Sequence, residues 1–484
     1  MRIAIIGSGP AGWSATSKLL EKGHDVTVFT CDTKDTELKD QVSFATNKTK
    51  INSKLLHGSD FPYRNFPTGP KKRQKEVNVP TSFAFSGLSL VWGATMLPYS
   101  QADIENWPVT AHELDPYYKY VLEGVPVTGR FDDLAKHYPP YFNQRPLLPS
   151  KRISQLIGAS QKANSSKFTL GSSRLAVQLL SEKKLGCTYC AKCLIGCPSD
   201  FIWSSPQISH SRLVYKKNHR VISISENPDT ISVKLLNDEG EIQEYCDFDK
   251  VYVAAGNVES FRILATSGLV PSRAELNDSR TFFVPFLLSS KYGKTEDRLN
   301  TLSQLFVRYE GGKSHPLQIQ IYDYSDDLIT RAKQAVPLGK FIPDRLLKIL
   351  LSRLFVGIGY LDSRDSSKIC LELTSDDDVH LFPSTRSANL EKNIVVSFFK
   401  DERKFFKHVG LRPLPRLIQY ALPGEGVHSG GWLPMGALSN DLGTPFGSTN
   451  VHVVDSSIFP FIPAGAITFT VMANAARIAD RSTR

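Results

Sequence analysis

The chain has no run of about 18 uninterrupted apolar residues, the length a spanning helix needs, and this argues against a membrane-embedded protein. Glycine and proline, at 32 and 29 of 484 residues, are not in excess, and neither a low-complexity tract nor a repeat of about 20–50 residues is present. Collagenous, largely disordered and solenoid architectures are thereby excluded. Cysteine is scarce, and seven residues in a chain of this length make a poor disulfide framework. Nor is there room ahead of the first apolar strand, which begins at Ile3, for a charged segment, an apolar core and a cleavage site. A cytoplasmic location is therefore expected.

What is present is an ordinary globular balance, 41% hydrophobic and 22% charged, over a length that favours two or more domains. Lys and Arg exceed Asp and Glu by 58 to 48, and the resulting net charge of +10 biases the surface towards phosphorylated ligands, acidic sugars or lipid headgroups. The densest basic run, Lys71-Lys72-Arg73-Gln74-Lys75, lies between Pro70 and Pro80 and reads as a solvated loop, so nucleic acid is not an expected partner. The acidic run Asp376-Asp377-Asp378 reads as a solvated turn.

Residues 3–6 read as a buried strand, Gly7-Ser8-Gly9-Pro10-Ala11-Gly12 as a turn into a helix over 13–22, and Asp25-Val26-Thr27-Val28-Phe29 as a second strand. This βαβ pattern carries the chemistry of dinucleotide binding. Gly7 permits a tight turn, Gly9 lets the backbone approach a pyrophosphate, and Gly12 lets helix and strand pack closely, while the helix amino terminus supplies N–H groups and a positive dipole. One element departs from the pattern. Where an acidic residue would bond the adenosine ribose at the end of the second strand, the chain has Thr30, with Asp32 two positions on. Ribose recognition falls to Thr30, to Asp32 or to neither.

Four further blocks follow in order. The first is Gly87-Leu88-Ser89-Leu90-Val91-Trp92-Gly93-Ala94, continued by Asp103, Trp107-Pro108, Glu113-Leu114 and Tyr117-Tyr118. The second is residues 250–260, with Ala255-Gly256; the third is residues 427–436, beginning Val427-His428; the fourth is residues 450–457, with Asp455-Ser456, leading into a helix over 468–480. Together they resemble the glucose-methanol-choline oxidoreductase family, with its Gly-Ser-x-x-Trp-Gly loop, its Ala-Gly turn, its His-x-x-Gly-Thr-x-x-Met-Gly segment and its last strand and helix.

The resemblance implies an α/β chain with a discontinuous Rossmann-like FAD-binding domain and an α+β substrate domain built on an antiparallel sheet. Residues 1–110, 186–272 and 424–484 are assigned to the first, and 111–185 and 273–423 to the second. The cofactor contacts it implies are Gly7, Gly9, Pro10, Ala11, Gly12, Thr30, Asp32, Ser89, Trp92, Gly93, Val221, Ala255, Gly256, Asp455, Ser456 and Thr468. It further implies a dehydrogenase that oxidises a hydroxyl group of a sugar, polyol or related alcohol, with hydride passing to flavin N5 and His428 taking the hydroxyl proton. The family's second His or Asn, near the start of the closing helix, corresponds here to Ala466, which has no acid–base chemistry. His452 is a strand histidine with nothing beside it that favours covalent flavin attachment.

Cys187-x2-Cys190-x2-Cys193-x3-Cys197-Pro198 has the spacing of a ferredoxin-type iron–sulfur run, so a [4Fe-4S] cluster is one reading. A single cluster needs Cys197 to fold back, or a remote ligand from Cys31, Cys246 or Cys370. A zinc knot, a reversible disulfide pair and thiols that cap a loop are the others. With a cluster, the partner of the oxidised substrate becomes an electron-acceptor protein or a quinone.

Strand signals lie at 220–224, 230–234 and 250–254, and the alternation of Leu317-Gln318-Ile319-Gln320-Ile321-Tyr322 and of Asn393-Ile394-Val395-Val396-Ser397-Phe398 suits an antiparallel sheet. Residues 344–355 place Leu346, Leu347, Leu350, Leu351, Leu354 and Phe355 on one helical face, opposite Arg345, Lys348 and Ser352. That helix packs on its own domain or docks on an anionic membrane at the inner face. Two rival functions stand beside alcohol oxidation. One is an iron–sulfur flavoprotein in electron transfer, substrate reduction or isomerisation; the other is a catalytically degenerate flavin-binding scaffold.

Overall fold

The computed structural model describes residues 1–32, 61–163, 165, 167–182, 184–228, 230–289, 299–311, 314–323, 342–384, 388–401 and 403–484. Its first unit is β1 (Arg2–Ile6), α1 (Pro10–Glu21) and β2 (Asp25–Phe29). These strands belong to a five-stranded, wholly parallel sheet in the order Val451–Val453, Lys250–Val253, β1, β2, Leu213–Lys216. Ile3, Ala4 and Ile5 are buried without alternation because both faces of a parallel sheet are covered. On one side α1 packs against the closing helix Thr468–Arg481, where the Ser14 hydroxyl donates to the Met472 carbonyl at 2.7 Å. Segments from both ends of the chain thus share one layer.

An antiparallel three-stranded sheet, His219–Glu226, Ile231–Asn237 and Ile242–Phe248, sets Tyr245 and Phe248 edge-on to Phe29 at 5.5 and 5.9 Å. A second antiparallel sheet runs Leu411–Pro413, Thr281–Leu288, Leu354–Tyr360, Leu317–Tyr322, Leu305–Tyr309, Phe168–Ser172, with Gln419–Tyr420 also on Thr281–Leu288. One of its faces packs into an aromatic core with Phe168, Phe286, Phe398, Phe399, Phe405 and Phe406, supplied in part by the helices Ala388–Asp401 and Arg403–Val409. A third sheet links Ser429–Gly430, Arg273–Asp278, Ile369–Leu373, Val379–Pro383 and Lys72–Gln74.

Four local expectations are corrected. Residues 393–398 lie in the helix Ala388–Asp401, not in a strand. Their β-branched residues are overridden by burial of Val395, Phe398 and Phe399 on one side, an i, i+3, i+4 spacing that serves a helix as well. The amphipathic helix stops at Leu351, and Leu354 and Phe355 begin the strand Leu354–Tyr360, with Phe355 buried in the aromatic core. The basic run forms an edge strand, Lys72–Gln74, rather than a loop; Lys71, Arg73 and Lys75 are exposed, while Lys72 turns inward to donate to the Val79 carbonyl at 2.5 Å. Asp378 is buried, accepting from the Lys71 N–H at 2.6 Å and from Arg73 at 3.1 Å. Among the described residues no helix is long and apolar enough to cross a membrane.

Candidate active site

A cavity of about 720 Å³ runs from the amino-terminal glycine turn to the antiparallel sheet, a size suited to a large ligand. Gly7, Gly9, Pro10, Ala11, Thr30, Ser89, Trp92, Gly93, Val221, Ala255, Gly256, Asp455, Ser456, Thr468 and His428 all lie on its wall. Gly12 and Asp32 do not. Gly12 sits behind the turn, where a Cβ would come within 2.1 Å of the Gly7 carbonyl oxygen, and Asp32 pairs with Lys217 at 3.3 Å.

The cradle fits a phosphate-bearing group on steric grounds. Gly7 has φ +107°, and a Cβ there would meet the Ala254 carbonyl oxygen at 2.4 Å, so the turn closes only without a side chain. At Gly9 and Gly256 the position of a missing Cβ is open, leaving backbone exposed to the cavity at the start of α1 and of the helix Asn257–Thr266. Both helix amino termini lack a side-chain cap, so their first N–H groups are available to an anion.

At the end of β2 the Thr30 hydroxyl is engaged with the Ser8 hydroxyl at 3.0 Å. The acidic group on this part of the wall is Glu259, which sequence reasoning missed. Its carboxylate accepts from Arg220 at 2.8 and 3.2 Å and from Arg262 at 3.0 Å. Burial pushes the Glu259 carboxyl up, but Arg262 and Arg220 outweigh it and hold the group below its ordinary value. Arg262 also donates to the carbonyls of Val221 and Ile222, so the ion cluster holds the backbone at Val221.

Asp455 knits distant segments together. Its carboxylate accepts from the Gly256 N–H at 2.9 Å, the Ser260 hydroxyl at 2.6 Å and the Ser457 N–H at 3.0 Å. Beside it the Ser456 hydroxyl and the Asn257 amide both donate to the Ser429 carbonyl, at 2.9 and 2.8 Å, which sets the backbone next to His428. Ser89 and Trp92 are likewise held, with the Ser89 hydroxyl on the Ser86 carbonyl and the Trp92 indole on the Trp203 carbonyl.

His428 closes the far end. It is half-buried, its Nδ1 is enclosed without a partner among the described residues, and desolvation pushes the imidazole down to about 4, so the ring is neutral at pH 7. Around it are the sheet residues Phe283, Gln320, Tyr322, Ile358 and Tyr360, together with Ala466. Gln320 accepts at its Oε1 from the hydroxyls of Thr95 and Tyr322, both at 3.4 Å, and gives one N–H to Gln318 at 3.5 Å. His452 stands apart from this wall, bonded to Thr444 at 2.8 Å and stacked on Tyr252.

Two solved structures share this arrangement of elements. Pyridoxine 4-oxidase from Mesorbium loti superposes with a TM-score of 0.61, and an FAD-dependent oxidoreductase from Chaetomium thermophilum, bound to a thienyl butanamide fragment, with 0.62. Each is 14% identical, over 99% of this chain and 98% of the other. The chain has the fold of FAD-dependent oxidoreductases. No family model and no curated protein matches the sequence. In this flavoprotein fold the cysteines line a second, small cavity that Cys187, Cys190, Cys193 and Cys197 share with Asn300. Cys31 lies on the wall of the large cavity, while Cys246 and Cys370 belong to other strands. Among the described residues no three His, Cys, Asp or Glu side chains are so grouped that they could hold a metal ion.

Proposed function

We propose that the chain is an FAD-dependent oxidoreductase that oxidises a CH–OH group of a sugar, polyol or related alcohol, with His428 as the base. The observation that carries this reading is the continuity of one cavity from the glycine cradle to a half-buried, neutral histidine. When bound, FAD supplies the hydride acceptor. Gly7, Gly9 and the uncapped starts of α1 and Asn257–Thr266 would hold its phosphates, and the backbone at Val221 its adenine end.

His428 meets the requirement for a base that removes a hydroxyl proton, because its imidazole carries no proton to spare at pH 7. Ala466 offers the substrate oxygen nothing, but the Gln320 carboxamide has a second N–H not used among the described residues. Amide and phenol groups on this wall suit a neutral hydroxylated substrate. Among the described residues around His428 no lysine or arginine is present to hold a phosphate, whereas Lys72 and Arg220 lie at the nucleotide end of the cavity.

The test is a flavin assay. Purified protein is expected to carry FAD, and a panel of glucose, glycerol, inositol, benzyl alcohol and pyridoxine is expected to contain at least one compound that bleaches the flavin anaerobically. In His428→Asn the flavin remains and bleaching by that compound is lost. A chain that takes up no FAD on reconstitution overturns the reading.

A further inference from the structure

We infer that Cys187, Cys190, Cys193 and Cys197 are the ligands of an iron–sulfur cluster of the cubane type, seated beside the candidate active site. The existence of the site does not depend on the flavin reading; only its role in turnover does. The four thiols line one cavity, although they come from eleven residues of coil and a single 3-10 turn, Cys193–Ile195. None of them is in a disulfide.

The geometry separates the candidate ligand types. A zinc ion would draw four sulfurs to about 2.3 Å from a single point. Among the described residues no three side chains close on one point in that way, and the four thiols line a small cavity. A cubane cluster instead spreads its ligands, because each thiolate binds a different iron.

Burial pushes the Cys187 and Cys193 thiols up, and backbone N–H groups aimed at the sulfurs offset part of that. The Phe201 N–H donates to the Cys197 sulfur at 3.4 Å, and Cys187 and Cys193 accept backbone N–H groups from Tyr189 and Thr301. Backbone donors to ligand sulfur are among the features that set a cluster's potential. Asn300 adds a buried side chain on the cavity wall whose amide oxygen has no partner; turned about its last bond, it offers N–H to a cluster sulfide.

The position bears on function. Leu194, inside the cysteine run, packs with Tyr322, Ile358, Tyr360 and Ala464, and Tyr360 in turn contacts His428. One layer of side chains therefore separates the cysteine cavity from the substrate end of the large one. Oxidising one hydroxyl to a carbonyl releases two electrons and two protons. A cluster of this kind takes one electron at a time, so each turnover would need two single transfers onward, either to two haem irons with both protons passing to water or to one quinone that takes up both electrons and both protons as the quinol.

The experiment uses the full chain purified without oxygen. Iron, acid-labile sulfide and zinc are measured per chain, FAD is measured separately after acid release, and the absorption spectrum is recorded before and after dithionite. Expected are about four irons and four sulfides, with a dithionite-bleached band near about 400 nm. Cys193→Ser should lose at least three-quarters of that iron while keeping its FAD. If Cys193→Ser does not fold, Cys190→Ser, at an exposed thiol, is read in the same way. Zinc in place of iron overturns the inference, as does wild-type protein that stays iron-free after incubation with ferrous iron and sulfide. Absence of FAD with the cluster present would count against the flavin reading alone.

Discussion

The ring of Tyr360 lies against the imidazole of His428, with centroids 4.5 Å apart and planes tilted by 32°. Tyr360 ends the strand Leu354–Tyr360 and His428 precedes the short strand Ser429–Gly430, so the contact joins two different sheets at the cavity. The tyrosine ring excludes water from one side of the histidine, and that burial is what keeps the imidazole neutral.

His428→Asn should retain FAD and lower the rate of substrate-dependent flavin reduction by about 10²- to 10⁴-fold, the range of a general base. The pH profile gives a second check. With the free imidazole at about 4, kcat/KM should hold from pH 8 to about 5 and fall only below that. An acid limb near 6.5 would show a solvated histidine instead.

Gln320→Leu should raise KM and lower kcat for the best alcohol of the panel, about tenfold in kcat/KM for one hydrogen bond lost. Gln320→Glu, which keeps an oxygen but removes the amide N–H, should be no better. Ala466→Asn, by contrast, adds an amide on the same wall and should restore part of the activity in the Gln320→Leu background. Stopped-flow flavin reduction measures all three.

Two histidines with depressed titration predict acid sensitivity. His428 and His452 are both pushed by burial down to about 4, whereas unfolded histidines titrate near 6.5. Between those values the unfolded chain binds protons that the folded chain does not. Stability is therefore full above about pH 6.5 and lost as pH falls towards 4. Urea midpoints at pH 7, 5.5 and 4.5 should fall in that order, and His452→Gln should flatten the trend.

Asp278 works in the opposite direction. It is fully buried, accepts from the Gly424 N–H at 2.8 Å, has no partner for Oδ1, and is pushed by burial up to about 7. Here the folded chain holds a proton that the unfolded chain releases near 3.8, so its contribution is lost as pH rises through 7. Asp278→Asn should stabilise the protein at pH 8 by about 1–3 kcal/mol, and progressively less as the pH is lowered through 5 towards 3.8, as read by urea denaturation at each pH.

Much of the nucleotide end was legible because glycine spacing reports backbone geometry directly. Gly7 and Gly12 each sit where any side chain would meet backbone, and Gly9 leaves backbone open to the cavity, so the residue type states the shape of the turn. His428 stood out through its motif, and Gln318, Gln320 and Tyr322 through strict alternation. Glu259 was missed although Arg262 lies one helical turn away, a spacing that could have flagged a buried pair. Arg220, its other partner, lies 39 positions earlier, and no local pattern links the two.

By itself the sequence determined the βαβ cradle, the strand that carries Gln320 and the cysteine spacing, since each depends on neighbours within a few residues. Tertiary structure alone decided that Asp455 ties the Gly256 turn to the closing segment and that Tyr360 shields His428. It also decided that residues 393–398 are helical and that Leu194, inside the cysteine run, packs with Tyr322, Ile358 and Tyr360. These are long-range choices, made by which buried surfaces and unpaired polar groups find one another when the chain collapses, and a one-dimensional pattern does not encode them locally.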